Sequence, residues 1–247
     1  MRIGDKDRVC EYLTSSGLGY KNNDEKFFLN DEGVLFCAKQ SSIDRAKYYI
    51  GVEFEAEEGK RSGLKKFWGS ILFLYYSLLE ALTGLWRSQD RFGDPRRRHE
   101  ATGAEVPIVD IPQSALIEAL ANFLIHRDYS DNDVARIKIF EDRIEFINPG
   151  TSEIDPSKLM SSTEDLNQKY HRNKRIIEAM RFARINQHKG SGIRSIRHAL
   201  IENGNVLPDG QAAFRVENIV NDTRGERRFR LIMFRRKISG PEVKKNR

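Results

Sequence analysis

The chain has 247 residues, room for one large domain or two small ones, and 39% of them are hydrophobic, enough for a real core. Its 42 basic and 36 acidic residues leave a net charge of +6, which permits contact with nucleic acid or an anionic ligand without demanding it, because the basic residues are dispersed among the acids. Two cysteines, Cys10 and Cys37, exclude a disulfide framework and a cysteine metal site. They read as small buried apolar residues, and the polar opening MRIGDKDRVC has no signal-peptide pattern, so a cytoplasmic protein is expected.

In chain order, residues 4–15 read as a short helix closed by Gly17 and Gly19. Residues 27–37, FFLNDEGVLFC, place Asn30 as the cap of a second short helix. Residues 45–55 alternate polar and apolar and are rich in strand formers, so they read as a strand, with a polar turn over 57–62. A long helix is expected over 63–86. Its segment FWGSILFLYYSLLEALTGLW is long enough to span a bilayer. It carries Glu80, however, and a charge inside a membrane costs about 2.5–3.5 kcal/mol. The reading is a buried helix packed on several sides, and no membrane partner. Residues 87–104 form a charged loop with three consecutive arginines, Arg96, Arg97 and Arg98, either a solvated loop or a grip for phosphates. That loop is the expected boundary between two units, 1–104 and 105–236, ahead of a basic tail at 237–247.

The centre of the second unit is residues 111–130, IPQSALIEALANFLIHRDYS. At ~100° per residue, Leu116, Leu120, Phe123 and Leu124 gather on one side of a helix. Glu118, Asn122 and His126 step by four along another side and form one polar row. Taken alone, that row is a solvated face or a site. A hairpin follows: VARIKIF (134–140) and RIEFIN (143–148) alternate about Glu141 and Asp142. It ends in a turn, Asn148-Pro149-Gly150. Residues 151–168 are polar, helix-poor and long for a connection, which favours a functional loop. Residues 169–185 read as helical. Lys189, Gly190, Ser191 and Gly192 then open another helix, where glycines and exposed N–H groups suit an anion. Residues 213–220 and 227–234 read as antiparallel strands.

The three blocks EALANFLIHRDYS, DRIEFINPG and KGSGIRSI resemble the GHKL (Bergerat) ATP-binding fold of gyrases and histidine kinases. They are more closely similar to the C-terminal half of Schlafen/Alba-type-domain transcriptional regulators, also described as RecG-like. The similarity covers roughly residues 105–235, and the family's Alba-type domain is expected to be missing in front. The resemblance implies an α+β fold: a two-layer α/β sandwich with an antiparallel-rich mixed sheet and helices on one face, preceded by a smaller α/β unit. Carried over residue by residue, Glu118 would orient or deprotonate the attacking water. Asn122 would hold Mg²⁺ through its amide oxygen. Asn148 stands where the wider superfamily has an adenine-reading Asp, and its oxygen would accept from the adenine amino group. Gly150 would allow close approach of the base. Residues 151–167 would form a lid. Gly190 and Gly192, with Lys189 and Ser191, would form the phosphate loop. The implied function is an ATP-binding regulatory protein, perforce a slow Mg²⁺-dependent ATPase if it turns over at all, coupling nucleotide state to a protein partner, a second copy or DNA. The competing reading is a DNA-binding regulator, or a complex subunit, whose nucleotide site has decayed.

Overall fold

A computed structural model describes residues 6–39, 51–58, 61–89, 96–98, 105–107, 110–161, 172–185 and 192–236. The N-terminal part holds helix α1 (Lys6–Ser15), a hairpin of β1 (Gly19–Lys21) and β2 (Phe27–Leu29), and helix α2 (Asp31–Cys37). Asn30 caps α2 as the sequence suggests: its side chain accepts from the Gly33 N–H at 2.9 Å and donates to the Gly17 carbonyl at 2.7 Å. Strands β3 (Gly51–Glu58) and β4 (Arg61–Trp68) form the next hairpin, followed by helix α3 (Ile71–Gln89). A two-stranded ribbon pairs β5 (Arg96–Arg98) with β6 (Glu105–Pro107). Then come α4 (Gln113–His126), β7 (Ala135–Ile139), β8 (Arg143–Pro149), α5 (Pro156–Ser161), α6 (Lys174–Phe182), α7 (Gly192–Asn203), β9 (Phe214–Asn221) and β10 (Glu226–Phe234).

Six strands form one mixed sheet in the order β4-β3-β7-β8-β10-β9. Only the β3–β7 pair is parallel. The α+β class expected from the sequence is what the chain adopts. Strand alternation sorts the two faces. One face carries a cross-strand row of Phe54, Ile137, Phe146, Leu231 and Val216, each in register with the next. All five are buried, and helix α4 packs onto that face, with Phe123 edge-on to Phe146 at 5.7 Å between ring centroids. The other face carries ion pairs: Glu53 between Lys66 and Arg136, Lys138 with Glu55, and Glu145 between Arg143 and Arg230. These basic residues are already matched by neighbouring acids.

Several expectations are corrected. The helix expected over 63–86 starts at Ile71, because residues 61–68 extend the hairpin that the 57–62 turn was meant to end. This helix is also not packed all round. Ile71, Leu74, Tyr75, Leu78 and Leu82 are buried, while Phe73 and Tyr76 are exposed, which is a one-sided amphipathic pattern. Among the described residues no helix is long and apolar enough to cross a membrane. Strands β3 and β4 lie before residue 104 yet share the sheet of β7–β10, so the two expected units contribute to one sheet and one core. Asn148 and Pro149 are the end of β8 rather than a turn. Pro149 is tolerated there because β7 pairs only as far as Ile147, so the missing N–H breaks no ladder bond to it. Neither cysteine is fully buried, although burial pushes the Cys37 thiol up to about 11.

One buried cation ties the parallel pair to α4. The Arg127 side chain is 2% exposed and donates to the carbonyls of Gly51 and Asp133, both at 2.9 Å. Gly51 opens β3 and Asp133 leads into β7. Replacing Arg127 with Met leaves both carbonyls without this donor, and should lower unfolding free energy by about 3 kcal/mol or more. Lys is expected to restore little, since a point charge cannot reproduce the planar two-pronged contact. Urea denaturation at unchanged slope measures this; a loss for Arg127→Met within about 0.5 kcal/mol would contradict the assignment.

Candidate functional site

The candidate residues lie along α4, which touches β8 on one side and α7 on another. Helix α4 is held between α3, α7 and the sheet, and Ala115, Leu116, Ala119, Leu120, Phe123 and Leu124 are all buried. The polar row does not share one environment. Glu118 is 7% exposed, Asn122 is half-buried and His126 is exposed. The solvated-face alternative therefore fails for Glu118. Its carboxylate lies close enough to Tyr75 of α3 to help raise that phenol, after burial itself and the neighbouring Tyr76.

Asn148 is the most informative residue. Its position on β8 points it, like Ile144 and Phe146, towards α4. The side-chain N–H donates to the Phe123 carbonyl at 2.6 Å. Its amide oxygen is buried and has no hydrogen-bond partner among the described residues. A buried acceptor left in this state costs about 1–3 kcal/mol, and such exceptions call for a ligand or a water. Asp at this position would supply acceptors only. Asn supplies a donor that fastens α4 and keeps an acceptor in reserve.

Asn122 sits against the first residue of α7. A Cβ added at Gly192 would stand 2.4 Å from the Asn122 amide nitrogen and 2.8 Å from its oxygen. A larger residue there would have to push the Asn122 amide aside. Two residues beyond Asn148, Gly150 has φ +84, a conformation that suits glycine. In front of it lie Asp128 and Arg172: a Cβ there would be 2.8 Å from the Asp128 Cβ and 2.7 Å from an Arg172 guanidinium nitrogen. Asp128 accepts from the Ser130 amide at 3.0 Å and hydroxyl at 2.6 Å, and pairs with Arg172 at 3.7 Å. Burial pushes its carboxyl up, but these bonds and the Arg172 charge outweigh burial and hold it below the ordinary carboxylate range.

The stretch after Gly150, expected to be helix-poor, contains α5, and its described part is fastened at two places. The Ser152 N–H donates to the Asn218 side chain at 2.9 Å, and Arg197 of α7 donates to the carbonyls of Leu159 and Met160 at 3.0 and 2.6 Å. The remainder of the expected lid, 162–167, lies outside the described residues, as do Lys189, Gly190 and Ser191. The structure thus sets Asn122 against Gly192 and Asn148 against the Phe123 carbonyl of the same helix α4, with Gly150 two residues beyond Asn148 and Glu118 one turn before Asn122. Among the described residues no cluster of His, Cys, Asp or Glu has metal-site geometry. Sequence reading missed Arg172 and Asn173. Asn173 caps the end of α4, donating to the Ile125 and Arg127 carbonyls at 2.7 and 2.8 Å. Both residues sit in a run read simply as helix, and no local spacing marks them as partners of residues more than forty positions earlier.

Residues 133–216 match a family described as "Putative ATP-dependent DNA helicase recG C-terminal". The matched stretch includes Asn148, Gly150 and Gly192, and begins after Glu118 and Asn122. This part of the chain is similar to a RecG-type ATPase C-terminal module. No curated protein sequence matches the chain. Among solved structures, the DIP2311 protein from Corynebacterium diphtheriae superposes with a TM-score of 0.62 at 17% identity, over 92% of this chain. The chain spans 40% of the length of that protein. At this identity the likeness is one of fold.

The dual use of Asn148 is directly testable. Asn148→Asp removes the donor to Phe123 and faces a carboxylate towards a carbonyl, so unfolding free energy should fall by about 1–3 kcal/mol. Chemical denaturation of the two proteins side by side measures it, and equal stability would count against the hydrogen bond.

Proposed function

We propose that the chain binds an adenine nucleotide at the candidate site, in a GHKL-type arrangement, and acts as a slow Mg²⁺-dependent ATPase that couples nucleotide state to a protein partner or DNA. The observation that carries the reading is the buried Asn148 oxygen, with no donor among the described residues, placed two residues before a glycine in the left-handed conformation. An adenine amino group is a donor of the required kind, and Gly150, lacking a Cβ, would let a flat ring approach the strand end once the Arg172 guanidinium in front of it moves aside. The similarity of residues 133–216 to an ATP-dependent helicase module points the same way.

The other residues take roles their surroundings allow. Asn122, pressed against the glycine that opens α7, would offer its amide oxygen to Mg²⁺, a hard cation that takes oxygen ligands. When bound there, Mg²⁺ would neutralise charge on the phosphates. Gly192, with Lys189, Gly190 and Ser191 preceding it in sequence, would present N–H groups of a helix start to those phosphates. Glu118, buried one turn before Asn122, would orient a water and accept its proton. His126 is exposed at the helix end and takes no part in this scheme.

A second reading rests on the β5–β6 ribbon. Arg96, Arg97 and Arg98 form one of its strands, and a two-stranded ribbon fits a DNA groove. The basic residues of the sheet face offer less, being ion-paired already.

Calorimetric titration with ATP and Mg²⁺ tests the main reading. The wild-type protein should bind ATP, Asn122→Ala should bind at least about tenfold more weakly, and Glu118→Gln should bind normally while losing turnover. No heat of binding at millimolar ATP would sink it. For the ribbon, duplex DNA binding should weaken steeply with salt and be reduced when all three arginines become Ala. A response independent of salt would remove this second reading.

A further inference from the structure

Arg172 occupies the space in front of Gly150. Its guanidinium lies so close that a Cβ on residue 150 would meet it at 2.7 Å. Gly150 follows the last residue of β8, two positions after Asn148. The Asn148 amide oxygen is itself sealed from solvent. What holds Arg172 there is weak. The ion pair to Asp128 spans 3.7 Å, with the two side chains 30% and 24% exposed, and the bond to the Thr151 carbonyl spans 3.4 Å. Partly exposed pairs of this length contribute little. A cation held loosely over the one glycine that would admit a ring is a cover that a ligand can displace.

We propose that Arg172 and Asp128 form a latch over the base end of the site, closed in the ligand-free protein and displaced when a base reaches Asn148. The proposal rests on the nucleotide-binding reading above and adds the step that controls entry. It also gives that step a route to the rest of the chain. Arg172 directly precedes Asn173, which caps α4, and then α6. Helix α6 is fastened to the N-terminal helices: Arg175 pairs with Glu32, the Tyr12 hydroxyl donates to the Glu178 carbonyl at 3.4 Å, and the Tyr12 and Phe182 rings stack. Movement of Arg172 off Gly150 therefore begins next to Asn173 and the helix that carries these contacts to α1 and α2.

Adenosine separates the latch from phosphate binding, because it has a base and no charge. In the wild-type chain the latch opposes adenosine. Removing it by Arg172→Ala should tighten adenosine binding about two- to fivefold. Asp128→Asn should do the same: it removes the charge that holds Arg172 but keeps an oxygen for the Ser130 turn. Inorganic tripolyphosphate should bind all three proteins alike. Raising salt from about 0.05 to 0.5 M should tighten adenosine binding to the wild-type protein and leave both variants unchanged, since salt screens the ion pair. Weaker adenosine binding by Arg172→Ala would make the guanidinium a wall of the base pocket and overturn the latch, and unchanged binding by both variants would overturn it equally. Failure of the wild-type protein to bind either ATP or adenosine would instead remove the nucleotide reading, and the latch with it.

Discussion

The last turn of α4 is buried except at His126, and a helix end leaves four carbonyls without intrahelical donors. In this protein side chains from elsewhere supply them. Asn148 of β8 donates to Phe123, the Tyr129 hydroxyl to Leu124 at 2.6 Å, and Asn173 to Ile125 and Arg127. Burial raises the Tyr129 phenol well above its usual range, so it stays a donor at any ordinary pH. Meeting this demand draws the strand end, the HRDY turn and the start of α6 to one point. Asn148, Gly150, Asp128 and Arg172 of the candidate site belong to these segments or adjoin them.

That constraint explains why Asn148 is suited to its place. A carboxylate would accept from a base but would give α4 nothing. The amide does both, so the structural bond and the proposed recognition come from opposite ends of one group. The sheet divides its work in a similar way. Its apolar row supports α4 from below, while the opposite face balances its charges internally through Glu53, Glu55 and Glu145. The excess positive charge of the chain is therefore not displayed by this face.

Much of this was legible in the sequence, for physical reasons. The hairpin of residues 134–148 and the strands near 213–234 alternate with a period of two, and they form as read. The Asn30 cap is a local signal and is found. The apolar stripe of α4 was also correct, but periodicity does not report what packs on the other side. The burial of Glu118 follows from α3, and α3 starts eight residues later than its composition suggested. Residues 61–68, RSGLKKFW, carry neither a clear helical nor a clear strand period, and tertiary pairing with β3 decides them. Arg172 and Asn173 were invisible because their partners are remote in sequence. The match of residues 133–216 and the fold-level likeness agree with the architecture, whereas the roles of Glu118, Asn122 and Gly192 rest on their chemistry and positions.

The central claim is that the Asn148 oxygen is kept for a base. A crystal structure with a non-hydrolysable ATP analogue and Mg²⁺ tests it most directly. Adenine density is expected over Gly150, with the exocyclic amino group within hydrogen-bond distance of the Asn148 oxygen and the Phe123 bond retained. A nucleotide bound elsewhere, or a water or protein donor found satisfying that oxygen while the analogue stays out, would contradict it.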